Sequence, residues 1–197
     1  MSETPPWVPT GPFDLNNVVL SSWEFIYDNG GWEEQGSGPG STVANSTELI
    51  AWLKNFITTN NCSSLVDIGC GDMQWTAQVL KANPLVAYTG IDWVPSVCNA
   101  NKTNHPTHTF LTQNFILSTF SNSNTYDMLI CKDVLQHQWN AVDQIITNIG
   151  NINVEHSVFI VPTVADSILE SKLVAAGYTL STTVSSDEEK SIFIKST

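Results

Sequence analysis

The chain has 197 residues, 42% of them hydrophobic, which is enough for one buried core and short for two independent domains. Seven Lys plus Arg stand against nineteen Asp plus Glu, a net charge of -12, so polyanions meet repulsion; duplex DNA, bulk RNA and anionic membrane are excluded as expected partners. No stretch reaches the roughly 18 apolar residues of a spanning helix, and the first six residues lack a basic-then-apolar signal pattern, so a soluble, cytoplasmic protein is expected.

The first forty-odd residues, rich in Gly, Pro and Trp, read as an irregular arm with one short helix at 20–27 and a flexible Gly-rich loop at 35–41. This gives a division into an arm and lid, 1–44, and a main domain, 45–197. From Asn45 a capped amphipathic pattern begins, with Leu49, Ile50, Leu53, Phe56 and Ile57 at helical spacing. The period then changes to short apolar runs. Strands are predicted at 65–68, 86–91, 109–111, 126–130 and 158–161, with helices opening at 75 and covering 94–101, 133–149 and 167–176. Segments 178–184 and 192–194 form a closing pair around the acidic turn 185–190. The alternation predicts an α/β fold: a seven-stranded, mostly parallel sheet with helices on both faces and an antiparallel edge.

Four cysteines, Cys62, Cys70, Cys98 and Cys131, stand singly, without a C-x-x-C pair or an adjoining histidine cluster. Neither a metal site nor a disulfide framework is expected. Three N-x-S/T sequons, at Asn45, Asn61 and Asn101, are the chance yield of an Asn/Ser/Thr-rich chain.

In open α/β sheets the ligand sits beyond the carboxyl ends of the strands at the switch point, here the turn after Val66. It reads Asp67-Ile68-Gly69-Cys70-Gly71-Asp72. Gly69 and Gly71 let backbone amides approach a ligand, and the following helix is expected to present its free N–H groups there. Cys70 matters through its backbone and is not proposed as a nucleophile. A dinucleotide fingerprint needs a third small residue three places after the second glycine; that place holds Gln74, which disfavours NAD and FAD. Asp67, ahead of the glycines, suits a ligand bearing an amino group and a sulfonium charge. Asp92 closes the second strand 21 residues after Gly71, near the roughly 20 at which a carboxylate receives both ribose hydroxyls.

These residues resemble the class I S-adenosylmethionine methyltransferases. Asp67, Gly69 and Gly71 match the family's Asp/Glu-x-Gly-x-Gly motif, with Met73 where a third glycine often stands, and the likeness extends over about 65–161. It implies a Rossmann-like fold and S-adenosylmethionine as cofactor, with S-adenosylhomocysteine as product. Asp67, Gly69, Cys70, Gly71 and Asp92 would contact it. Trp93 either stacks on adenine or caps the core. Asn114 takes the place of a common Asp that meets the adenine amino group, where an amide oxygen still accepts a hydrogen bond. The stretch 126–137 resembles the fourth strand and the following helix, which borders the reactive methyl group, and brings in Cys131.

Asp133 and His137 lie four apart, so a helix beginning near 133 sets them on one face, the carboxylate orienting an imidazole that takes a proton from the acceptor. The other reading is that the histidine serves packing or helix geometry. His105, His108 and His156 are scattered and read as surface or strand-end residues. The arm's aromatics at 23–27 and the loop 36–41 suit a lid, in a pattern similar to small sugar-modifying methyltransferases. The expectation is therefore in-line methyl transfer to the oxygen of a small-molecule or glycan acceptor. N-methylation of a small amine or protein, or a silent cofactor-binding protein, are the rivals.

Overall fold

A computed structural model describes residues 18–29, 36–117, 120–163, 167–186 and 189–197. The rest of the expected arm, 1–17 and 30–35, and positions 187–188 of the acidic turn lie outside the described residues.

The arm helix forms as α1, Val18–Asn29, and the amphipathic helix as α2, Thr47–Thr59, which turns Leu49, Ile50, Leu53 and Ile57 inward. The strand and helix units follow: β1 Ser64–Ile68, α3 Thr76–Ala82, β2 Ala87–Asp92, α4 Pro95–Asn104, β3 Thr109–Thr112 and β4 Thr125–Lys132. After them come α5 Val142–Gly150, β5 Asn153–Pro162, α6 Ser167–Ala175, β6 Thr179–Val184 and β7 Lys190–Ser196. The sheet order is β3-β2-β1-β4-β5-β7-β6, parallel from β3 to β5, with β7 antiparallel to both neighbours. The β6–β7 pair is the expected antiparallel edge.

Alternation along the strands divides the interior into two layers. Val66, Ile68, Leu129, Phe159 and Phe193 face one side with Val97 of α4, Ile145 and Ile149 of α5, and Leu173 of α6. Leu65, Met128, Ile130, Val158 and Ile192 face the other with Leu53 of α2 and Val79 of α3. Order reverses between β1 and β4, which opens a crevice at their carboxyl ends. Among the described residues no helix is long and apolar enough to cross a membrane.

Two elements depart from the sequence reading. The helix expected over 133–149 starts only at Val142; before it come 3-10 turns at Leu135–His137 and Trp139–Ala141. The cause is at the strand end. Lys132 still pairs with Ile160, and Asp133 donates its amide to the Ile160 carbonyl and turns into the left-handed region at φ 55, a conformation no α-helix contains. Strand β5 is ten residues long where only 158–161 showed an apolar run. Its first half is partly exposed and polar and lacks that signal, yet pairs with β4 and β7 through backbone bonds.

Phe159 is fully buried in the middle of the sheet, with its ring edge-on to Tyr178 at 5.0 Å. Phe159→Ala is expected to cost about 3–5 kcal/mol, lowering Tm by roughly 10 °C in thermal unfolding followed by circular dichroism.

Candidate active site

The crevice holds a cavity of about 290 Å³. Its floor is the glycine loop after β1, one end is the tip of β2, the other is the end of β4 with the start of β7, and residues 37–41 lie across it.

The glycines are needed where they stand. Gly69 and Gly71 have φ of 74° and 54°; a Cβ on Gly69 would fall 2.4 Å from Val134, and one on Gly71 2.3 Å from the Ser37 hydroxyl. Met73, at the place of the family's third glycine, keeps a left-handed backbone at φ 65. That strain, about 1–3 kcal/mol, is offset by a side chain that is 1% exposed in the core.

The loop amides do not reach into the cavity as expected. Gly69 and Cys70 donate to the Ile91 carbonyl at 2.8 and 3.2 Å, and Gly71 to Asp92 Oδ2 at 3.0 Å. Buried N–H groups must pair, and β2 is the nearest source of acceptors. Helix α3 starts at Thr76, past an intervening turn, so its free amides are not at the glycines either. Asn101 of α4 completes the joint by donating to the Gly71 carbonyl at 2.7 Å. Its only trace in the sequence is a polar residue at helical spacing from Val97 and Cys98.

Asp92 is 5% exposed on the cavity wall. Burial raises its carboxyl, while N–H bonds from Val94, Gly71 and Trp93 act to lower it. Oδ1 accepts from the Val94 amide at 3.1 Å and Oδ2 from Gly71. Both oxygens are acceptors facing the cavity, a set that fits the hydroxyls of a ribose. Trp93 and Phe115 stack at 6.1 Å and 24° and both line the wall, so Trp93 caps the core and faces the cavity at once. Asp72, from the floor, has one buried carboxylate oxygen without a partner, as does the Gln136 amide opposite; both are acceptors that fit a donor-rich ligand.

Three expected cofactor residues do not line the cavity. Asp67 is 1% exposed beneath the loop, accepting from Tyr88 Oη at 2.8 Å and Thr76 Oγ1 at 3.3 Å. Burial pushes its carboxyl up to about 7 despite those two bonds. Asn114 borders a separate, smaller recess, its Oδ1 accepting from the Ile116 amide at 3.0 Å. Cys131 is buried in the core, where loss of water drives its thiol well above the ordinary value.

At the other end Asp133 and His137 both line the cavity, but not as an α-helical pair, because no α-helix contains them. The Asp133 carboxylate accepts from Lys132, from Gln136 at 2.9 Å and from Lys190 at 3.0 Å. Burial works to raise this carboxyl, yet the Lys132 and Lys190 ammoniums outweigh it and hold the group below the ordinary carboxylate range. The His137 ring meets Trp23 edge-on at 5.4 Å. Lys190 arrives from 57 residues downstream, so no local spacing could reveal it.

The 36–41 segment is fastened over the floor. Ser37 donates its amide to Asp72 Oδ2 at 3.1 Å, its hydroxyl accepts the Asp72 amide at 2.8 Å and sits 3.1 Å from Tyr27 Oη, and Lys132 Nζ donates to the Gly40 carbonyl at 3.0 Å.

Residues 66–160 match the family described as a methyltransferase domain. Solved structures share the fold. The N-methyltransferase NodS from Bradyrhizobium japonicum in complex with S-adenosyl-L-homocysteine aligns over 89% of this chain and 96% of its own, with 17% identity and a TM-score of 0.65. The 16S rRNA methylase RmtB aligns over 90% of this chain and 74% of its own, at 14% identity and TM-score 0.64. An O-methyltransferase family protein from Burkholderia thailandensis aligns over 79% of this chain at 14% identity and TM-score 0.62, and this chain spans only 57% of it. No curated protein matches the chain by sequence. The chain shares the fold of these methyltransferase structures, and its residues 66–160 are similar to the methyltransferase-domain family.

Two measurements test this geometry. Asp92→Ala removes the paired acceptors, and calorimetric titration is expected to show S-adenosylhomocysteine affinity falling at least about 100-fold, two charge-assisted bonds being lost. Asp67 has a folded-state value above the ordinary one, so the folded protein binds its proton more tightly than the unfolded chain does. The burden of the ionised form is therefore absent below about pH 4 and complete above about pH 7. Asp67→Asn, which keeps an acceptor for Tyr88, is expected to raise Tm relative to the parent by several degrees near pH 8 and by less near pH 5.

Proposed function

We propose that this protein transfers the methyl group of S-adenosylmethionine to a hydroxyl oxygen of a small sugar or glycan acceptor. The observation that carries the reading is the polarity of this cavity: the ribose-type acceptor Asp92 at one end, His137 with Asp133 and two lysines at the other. When bound, the cofactor supplies an already activated sulfonium methyl group and leaves as S-adenosylhomocysteine.

In this reading Asp92 holds the ribose diol and the unpartnered Asp72 oxygen receives the cofactor's amino group. Gly69, Cys70 and Gly71 form the floor, with Asp67 buried beneath it. The 36–41 segment, as a lid with α1, excludes water and so strengthens the polar contacts beneath it. The acceptor sits against Trp23 and Tyr27 of α1. His137 would accept the proton of the acceptor hydroxyl as that oxygen is methylated. Asp133 fixes the lysines at the acceptor end. The net charge of -12 favours a small acceptor over a polynucleotide, and four buried free cysteines suit the cytoplasm.

Methylation of an amine is the competing reading, since the free oxygens of Asp72 and Gln136 would also receive N–H donors. Transfer of labelled methyl to free sugars, with small amines in parallel, separates the two; labelling of amines alone overturns O-methylation. His137→Ala is expected to lower kcat on the sugar about 100-fold with S-adenosylhomocysteine affinity unchanged. A change below twofold would assign the histidine to packing against Trp23.

A further inference from the structure

Asp72 lines the cavity just after the glycine loop, and its two carboxylate oxygens are in different states. Oδ2 accepts the Ser37 amide at 3.1 Å and the Gln74 side-chain amide at 2.8 Å. Oδ1 is sealed from water and has no hydrogen-bond partner among the described residues. A buried carboxylate oxygen is costly without a donor, and the donor that also offsets its charge is a cation.

A residue 35 places upstream sets this division. Ser37 meets Asp72 twice and in opposite directions: its amide donates to Oδ2, and its hydroxyl accepts the Asp72 amide at 2.8 Å. Two bonds between the same two residues fix the carboxylate in rotation as well as in place. The serine is held in turn, with its hydroxyl 3.1 Å from Tyr27 Oη, and Tyr27 packs against a core layer.

The backbone makes room for the pair. A Cβ on Gly36 would fall 1.9 Å from Asp72 Oδ2, and one on Gly71 2.3 Å from Ser37 Oγ; both glycines have left-handed backbones, at φ 59° and 54°. A segment that only covered the cavity would need bulk, whereas a reciprocal pair flanked by two glycines specifies an orientation. From this we infer that Ser37 is a positioning residue for the cofactor: it turns Asp72 so that Oδ1 meets the ammonium of the cofactor's amino-acid end.

This inference rests on the proposed function, which gives that amino group to Asp72, and adds that a residue of the roof selects for it. Asp92 stands ready for the ribose hydroxyls at the tip of β2, so the ammonium is the charged donor left for the floor.

The probes are S-adenosylhomocysteine and its desamino analogue, which keeps the carboxylate and carries hydrogen in place of the amino group, each titrated by calorimetry. The unaltered protein is expected to bind S-adenosylhomocysteine about tenfold or more tighter than the analogue, the scale of one charge-assisted bond. Ser37→Ala should weaken S-adenosylhomocysteine and leave the analogue unchanged, bringing the two within about threefold, and in an Asp72→Asn background it should cause no further loss. Equal binding of the two ligands by the unaltered protein overturns the inference. So does an equal loss for both ligands in Ser37→Ala, which would make the serine a cover and no more. A preference left intact by that substitution, or a further loss in the Asp72→Asn background, overturns it as well. If the alanine variant does not fold, Gly36→Ala replaces it, because its Cβ displaces Oδ2 and should produce the same selective loss. If neither folds, Ser37 is a structural residue and the inference falls. Failure of the unaltered protein to bind S-adenosylhomocysteine is a separate result, and it sinks the proposed function instead.

Discussion

The bond from the Gly71 amide to the Asp92 carboxylate ties the tip of β1 to the tip of β2, and the site is assembled around it. With the Gly69 and Cys70 amides on the Ile91 carbonyl, it fixes a loop whose two glycines have left-handed backbones. The same carboxylate accepts the Val94 amide and so sets the start of α4, which sends Asn101 back to the Gly71 carbonyl. Binding capacity is therefore inseparable from loop geometry: the group suited to the ribose is the group that shapes the floor. Such double use is economical in residues and leaves no substitution at Asp92 that affects only one of the two.

The charge distribution follows a similar logic of concentration. Acidic residues are spread over the surface, where water screens them at little cost. Among the described residues the buried carboxyls and ammoniums are collected around the crevice: Asp67 beneath the floor, Asp92 at one end, and Lys132 and Lys190 about Asp133 at the other. Burial moves Asp67 upward and the adjoining ammoniums move Asp133 downward, so two carboxyls of one type differ in charge state near neutrality. Their surroundings alone account for the difference.

Much of the fold was legible because strand and helix periods are local properties. The alternation of short apolar runs with helical spacing located all seven strands and the reversed hairpin, and the Asp67, Gly69, Gly71 and Asp92 spacing pointed to the crevice. What stayed hidden depended on contacts between distant segments. Asp133 reads as a helix start until the Ile160 carbonyl, on the next strand, turns its backbone left-handed. Lys190 reads as the end of an acidic turn until β7 pairs with β5 and carries it to the cavity. Asp67 fits a motif whose letters do not say which carboxylate faces the ligand and which is sealed below by Tyr88 and Thr76.

Met73 shows how such a site becomes entrenched. Its backbone favours glycine, and its side chain fills a core position that glycine would leave empty. A β-branched replacement would fill the space but tolerate the left-handed backbone less well. Replacement by glycine or by a β-branched residue therefore loses either packing or conformation, and a way out by either route requires a residue of the same core layer, which includes Leu80 and Ile130, to change with it. On an evolutionary timescale this corner of the loop is a ratchet, and lineages that acquired the methionine are expected to keep it together with the shape of the core around it.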